Sequence, residues 1–86
     1  MLVQLAPASA EAHYVLGRAY LELAREELAV RELERACELA PDSPEMHFNL
    51  ARAYAKAKLS EKAEQERATF AHLNAVAEQR RRHSGN

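Results

Sequence analysis

The sequence predicts an all-α fold in which antiparallel helix pairs stack as a repeat, an α-solenoid. Three observations lead there. Ala, Leu, Glu, Lys and Arg fill 53 of the 86 positions, and all five are good helix formers. The β-branched supply is four Val and one Thr, too thin for a sheet. The chain also repeats itself at a spacing of 34 residues: Leu5-Ala6-Pro7 returns as Leu39-Ala40-Pro41, and Arg18-Ala19-Tyr20 as Arg52-Ala53-Tyr54. Ser9 and Ser43, Glu11 and Glu45, His13 and His47, and Leu16 and Leu50 complete ten identities in the sixteen positions from 5 to 20.

Each element has its own start and stop signals. Residues 1–9, with Leu2, Val3 and Leu5, read as the remnant of a preceding unit, closed by Pro7. Ser9 is an N-cap for a helix over 10–23, because its hydroxyl can accept from a free backbone N–H. A second helix is expected over 27–39, ended by Pro41. Ser43 caps a third, over 44–57, with Pro44 at its first position and Glu45 in its first turn. The fourth, over 60–82, ends in Arg80, Arg81 and Arg82, which suit the negative pole of a helix, and His83–Asn86 are expected to fray. The connecting segments 23–26 and 57–60 contain neither Gly nor Pro. They leave open the fusion of the two helices of a unit, and with it an exchange of helices between chains.

Two rows run along the first helix of each unit at helical spacing. His13, Leu16, Gly17, Tyr20 and Ala24 form one, repeated as His47, Leu50, Ala51 and Tyr54. Gly17 and Ala51 let another helix come close, and Ala29, Leu33 and Ala36 of the second helix answer them. Leu16, Tyr20, Leu33, Ala36, Leu50 and Tyr54 are therefore the expected core. The neighbouring row is Glu11, Tyr14, Arg18 and Leu21, repeated as Glu45, Phe48, Arg52 and Ala55.

These residues resemble tetratricopeptide repeats. That family's pattern has an aromatic residue, then Leu-Gly, then Tyr on the first helix, followed by Ala, an aromatic or Leu, Ala and Pro. Residues 10–43 supply Leu16, Gly17, Tyr20, Ala29, Leu33, Ala36 and Pro41, with His13 where Trp is usual. Residues 44–77 match with Phe48-Asn49-Leu50-Ala51 and Tyr54, then depart after Ala63: Arg67 replaces a core residue, Phe70 a small Ala, and Ala75 the closing Pro. The resemblance implies two repeats, a helix extension with a basic tail over 78–86, and the C-terminal, capping end of a longer array.

The resemblance also implies that the second row lines the inner, concave surface. Tyr14, Arg18, Leu21, Phe48, Asn49 and Arg52 are the candidate partner-binding residues, since Arg can bind carboxylates bidentately and aromatics supply contact area. The alternative is that Tyr14 and Phe48 only pack between repeats while the Arg side chains are solvated. The family's carboxylate clamp uses Lys and Asn here. Asn49 fits one of its places but Arg18 stands where Asn is expected, so that specificity does not carry over.

Other classes are excluded or unsupported. The net charge of −1 argues against a general nucleic-acid binder. No apolar run reaches the ~18 residues that span a membrane, and residues 1–5 are too short for a leader. Cys37 has no partner for an internal disulfide and reads as a small core residue beside Leu33 and Ala36. His13 and His47 have no third ligand in a matching row, because Cys37, His72 and His83 fall elsewhere, so no metal or other cofactor is expected. No catalytic motif is present and no enzyme activity is expected. The expected function is non-catalytic binding of a peptide or protein, with a structural capping or self-associating element as the alternative. Residues 1–43 carry a net −4 and residues 44–86 a net +3, which favours contact between unlike ends, with a symmetric homodimer the expected closed form. The compartment is unknown, with the cytoplasm as the default.

Overall fold

The structure is a computed structural model and describes residues 9–84. Residues 1–8 of the expected remnant over 1–9, and the last two residues of the tail, lie outside the described residues. Four helices follow one another: α1 (Ala10–Glu22), α2 (Glu26–Leu39), α3 (Pro44–Lys56) and α4 (Ser60–Ser84). Each packs on the next, and α1 also touches α3, so the helices form a flat stack of 44 × 40 × 19 Å. The fold is all-α, and its helix boundaries fall within two residues of those the sequence suggested.

The starts form as the caps dictate. Ser9 Oγ accepts from Ala12 N–H at 3.0 Å and Ser43 Oγ from Met46 N–H at 3.4 Å. The connections within each pair correct one expectation, because the helices do not fuse. Ala24 and Lys58, again 34 positions apart, both take left-handed backbone, with φ of 59° and 66°. Around them Arg25 N–H bonds Tyr20 O at 2.9 Å and Ala24 N–H bonds Leu21 O at 3.1 Å. Leu59 N–H to Tyr54 O at 2.8 Å and Lys58 N–H to Ala55 O at 3.1 Å repeat the motif. These nested bonds satisfy the last helical carbonyls and turn the chain back. Glycine is the usual residue at such a place, so Ala24 and Lys58 hold it against their own steric preference.

The core sits between the helices of each pair and between α2 and α3. Leu33 is fully buried, and a Cβ placed on Gly17 would lie 2.6 Å from its Cγ and 3.3 Å from its backbone nitrogen. The absent side chain of Gly17 is therefore filled by Leu33. The second repeat reverses the arrangement: Ala51 carries the methyl, and in register with Leu33 stands Arg67, exposed and paired with Glu64. Ala29, Ala36, Leu50, Tyr54 and Ala63 complete the centre of this core.

Two residues expected in the core are not fully inside it. Leu16 is 42% exposed and Tyr20 half-buried, while their counterparts Leu50 and Tyr54 are 3% and 6% exposed. The reason is tertiary. Helix α2 covers the outer face of α3, and no described residue covers the same face of α1. At the other end, residues 77–83 of α4 are exposed on every side.

Two stability outcomes follow. Gly17→Ala should destabilise the chain by about 1–2 kcal/mol despite the better helix propensity of Ala, because overpacking a buried Leu typically costs about 1–3 kcal/mol. Ala24→Gly and Lys58→Gly should each stabilise it by about 0.5–1 kcal/mol, since relief of left-handed strain outweighs the added freedom of the unfolded chain. Urea midpoints at constant slope read both effects.

Candidate interaction face and the junction between repeats

Four of the six candidate residues join in one network. Asn49 Nδ2 donates to the Tyr14 hydroxyl oxygen at 3.0 Å and to Glu45 O at 3.0 Å. Its Oδ1 accepts from Arg52 Nη1 at 3.0 Å. The Arg18 guanidinium lies over the Tyr14 ring, 5.6 Å from its centroid. Tyr14 and Asn49 are buried between the repeats, whereas Arg18 and Arg52 are exposed. Asn49 was thus expected on a surface and is found inside. Tyr14 takes the inter-repeat packing that was its alternative, and Leu21 belongs to the core. Tyr14 and Asn49 each contact one guanidinium group, that of Arg18 on α1 and that of Arg52 on α3. Burial raises the Tyr14 hydroxyl above its ordinary pKa of 10.0, with Glu45 adding and Arg18 opposing.

Phe48 goes elsewhere. It is 46% exposed, and its ring lies 5.3 Å from that of Phe70 at an interplanar angle of 45°. The two rings line an open cleft of about 470 Å³ with Ser43, Pro44, Glu45 and Asn74, between the start of α3 and the middle of α4. In the sequence Phe70 stood out only as a misfit for a small Ala; the fold makes it the partner of Phe48. Arg52 sits one helical turn beyond Phe48 on α3, so the cleft adjoins that arginine.

On another side, a histidine–glutamate pair joins the two helices within each repeat. His13 Nδ1 pairs with Glu32 Oε1 at 2.7 Å, and His47 Nδ1 with Glu66 Oε1 at 2.5 Å. Both pairs span 19 residues, and Glu32 and Glu66 are themselves 34 apart. The histidines are thus not mere aromatic filler. That acidic identity, outside the matched stretch 5–20, was the signal that could have revealed them. His47 Nε2 donates to Pro41 O at 2.8 Å, so both its ring nitrogens face oxygen atoms. The Tyr54 hydroxyl donates to Glu34 Oε2 at 2.6 Å, and Lys62 Nζ lies 5.7 Å above its ring. Burial and then the bond to Glu34 push that hydroxyl well above its usual range. Cys37 is buried beside this junction. Burial and the carboxylates of Glu66 and Glu34 push its thiol up to about 12, which keeps it protonated and poorly nucleophilic. Contrary to the expectation that Cys37 and His47 lie in unrelated rows, the fold brings both together with Glu66.

A helix-pair repeat with this packing, capping and spacing belongs to a known class. The chain is a member of the tetratricopeptide repeat family, whose model matches residues 10–57, more than half of its length. No curated protein and no solved structure matches it. Membership makes this in general a protein-interaction or scaffold domain, a family that is generally non-catalytic. No helix among the described residues is long and apolar enough to cross a membrane.

The two buried tyrosines carry a pH dependence. Their folded pKa values lie above the unfolded value of 10.0, so the stability they contribute is complete below pH 10 and is lost as pH climbs above it. The variant carrying Tyr14→Phe and Tyr54→Phe should lose less stability above pH 10 than the parent. Phenolate absorbance and circular dichroism, followed together, check it.

Proposed function

We propose that the chain is a non-catalytic interaction module that takes a peptide or protein segment along the face formed by α1 and α3. The observation that carries this is the pairing of two chemistries on adjoining surface. Arg18 and Arg52 are exposed, yet each is held by a buried Tyr14 or Asn49, and one helical turn from Arg52 opens the Phe48–Phe70 cleft. Preorganised guanidinium groups lose less entropy on binding, and an open aromatic cleft accepts an apolar side chain. The segment that fits carries a carboxylate group near an apolar anchor. With a panel of acidic peptides bearing one large apolar residue, Arg18→Ala combined with Arg52→Ala should weaken binding at least tenfold, about 1.4 kcal/mol, and flatten its salt dependence. Phe70→Ala should weaken binding without changing the salt slope. Equal affinity and equal slope for parent and arginine variant would remove this face from the reading.

One observation favours a second reading, that of a self-associating or capping element. Val15 and Leu16 are 48% and 42% exposed, while Asn49 and Leu50, in register with them, are covered by the neighbouring repeat. An apolar face built to be covered is a site for association. Sedimentation equilibrium should then show masses above the 9.7 kDa of one chain, and Leu16→Glu should restore the monomer. A parent chain that is monomeric up to sub-millimolar concentration sinks this reading.

A further inference from the structure

We propose that the junction between the repeats is a transition-metal site of the zinc class, with Cys37 Sγ, His47 Nδ1 and a Glu66 carboxylate oxygen as three ligands and the adjoining cleft giving access to the fourth position. The three residues come from three helices, α2, α3 and α4, and their ligand atoms all lie within 4.8 Å of one another. A tetrahedral zinc ion with ordinary bond lengths sets neighbouring N, O and S ligands about 3.3–3.6 Å apart. The site reaches that spacing with movements of roughly 1 Å. Sγ draws in, and the 2.5 Å separation of Nδ1 and Oε1 opens as the metal replaces the hydrogen between them.

The surroundings suit a metal. His47 Nε2 donates to Pro41 O at 2.8 Å, the outer contact that directs the other ring nitrogen of a metal-bound histidine at its ion. The carboxylates of Glu66 and Glu34 border the same cleft as Cys37 and add negative charge that attracts a divalent cation. An open cleft of about 390 Å³, bounded by Glu34, Cys37, Glu38, Leu50, Tyr54 and Glu66, gives an entry path and room for a water or carboxylate as fourth ligand. Thiolate with imidazole selects zinc, cobalt, nickel or copper over magnesium and calcium. Binding displaces two protons, one from the thiol and one from between His47 and Glu66.

The repeat supplies an internal comparison. The His13–Glu32 pair has the geometry of His47–Glu66, but the position in register with Cys37 is Val3, which offers no ligand. Helix pairing accounts for a histidine and a glutamate in both repeats. It does not account for a thiol beside only one of them. A metal here ties the second helix of the first repeat to both helices of the second.

The test is titration of the reduced, full-length chain with Co²⁺ and then Zn²⁺. The expected result is one Co²⁺ per chain with thiolate-to-cobalt charge-transfer absorption, which Zn²⁺ displaces and excess Mg²⁺ does not. Cys37→Ala should abolish that absorption and weaken Zn²⁺ binding by about 100-fold or more. Glu66→Gln should weaken it by at least the roughly 10–100-fold that loss of an outer contact costs. His72→Gln, on the exposed side of α4, should leave both unchanged. Circular dichroism establishes that each variant keeps its helices. If Cys37→Ala unfolds, the parent's absorption and the Glu66→Gln affinity decide. Absence of charge-transfer absorption in the parent, or equal Zn²⁺ affinity in a folded Cys37→Ala, overturns the proposal. None of these readouts depends on the peptide-binding face, so either reading can fail without the other.

Discussion

Helix α2 lies between α1 and α3, and the distance at which those helices can approach it sets the geometry of the whole stack. Its inner side meets α1 where Gly17 has no side chain and Leu33 fills the space. Ala29 and Ala36, both without exposed surface, keep the neighbouring positions narrow. Close packing of this kind leaves no slack, because voids and overlaps both cost stability in a core at crystal-like density. Once α2 is placed, α3 is placed by Leu50 and Tyr54 against it, and α4 follows by the second left-handed turn. The exposed Leu16 is the counter-case: the same residue type in the same register, with no described helix packed over it, stays at the surface.

The junction between the repeats is apolar in volume but polar in its orienting contacts. Tyr14 to Asn49, Tyr54 to Glu34, and His47 to Pro41 and Glu66 all cross or border it. Among the described residues no buried side-chain nitrogen or oxygen lacks a hydrogen-bond partner. Apolar contact alone tolerates sliding, whereas a buried polar pair that loses its geometry is left unsatisfied at a cost of about 1–3 kcal/mol. These bonds therefore select one relative placement of the repeats. They also support the surface: the same Asn49 that anchors Tyr14 also holds Arg52.

The two repeats have diverged in how they use a shared frame. The first has Gly17 over Leu33 and the second Ala51 with Arg67 in register, so bulk has moved from one helix to the other and then out to solvent. Phe70 replaces a small residue and creates an aromatic cleft that the first repeat lacks, where Ala36 stands in register. Beyond the cleft, α4 continues as a polar helix to Ser84, with Arg81 paired to Glu78. Its residues 77–83 are exposed on every side and offer no apolar face.

Local chemistry and periodicity determined the elements. Ser9 and Ser43 start helices wherever they precede such a sequence, Pro41 ends one, and the 34-residue identity shows that two units share one plan. The rows also identified Leu33, Ala36, Leu50 and Tyr54 as interior, because helical spacing alone puts them on one stripe. The sequence does not determine which stripe is covered at each end of the stack, so Leu16 and Tyr20 lie nearer the surface, and Asn49 deeper, than helical spacing alone implies. Ala24 and Lys58 lack the local preference that would mark a turn; their left-handed backbone is imposed by the packing of the helices on either side. The meetings of Phe48 with Phe70, and of Cys37 with His47 and Glu66, join residues from different helices at no recurring spacing. Only the angle and distance between packed helices bring such groups together, and that is a property of the tertiary structure.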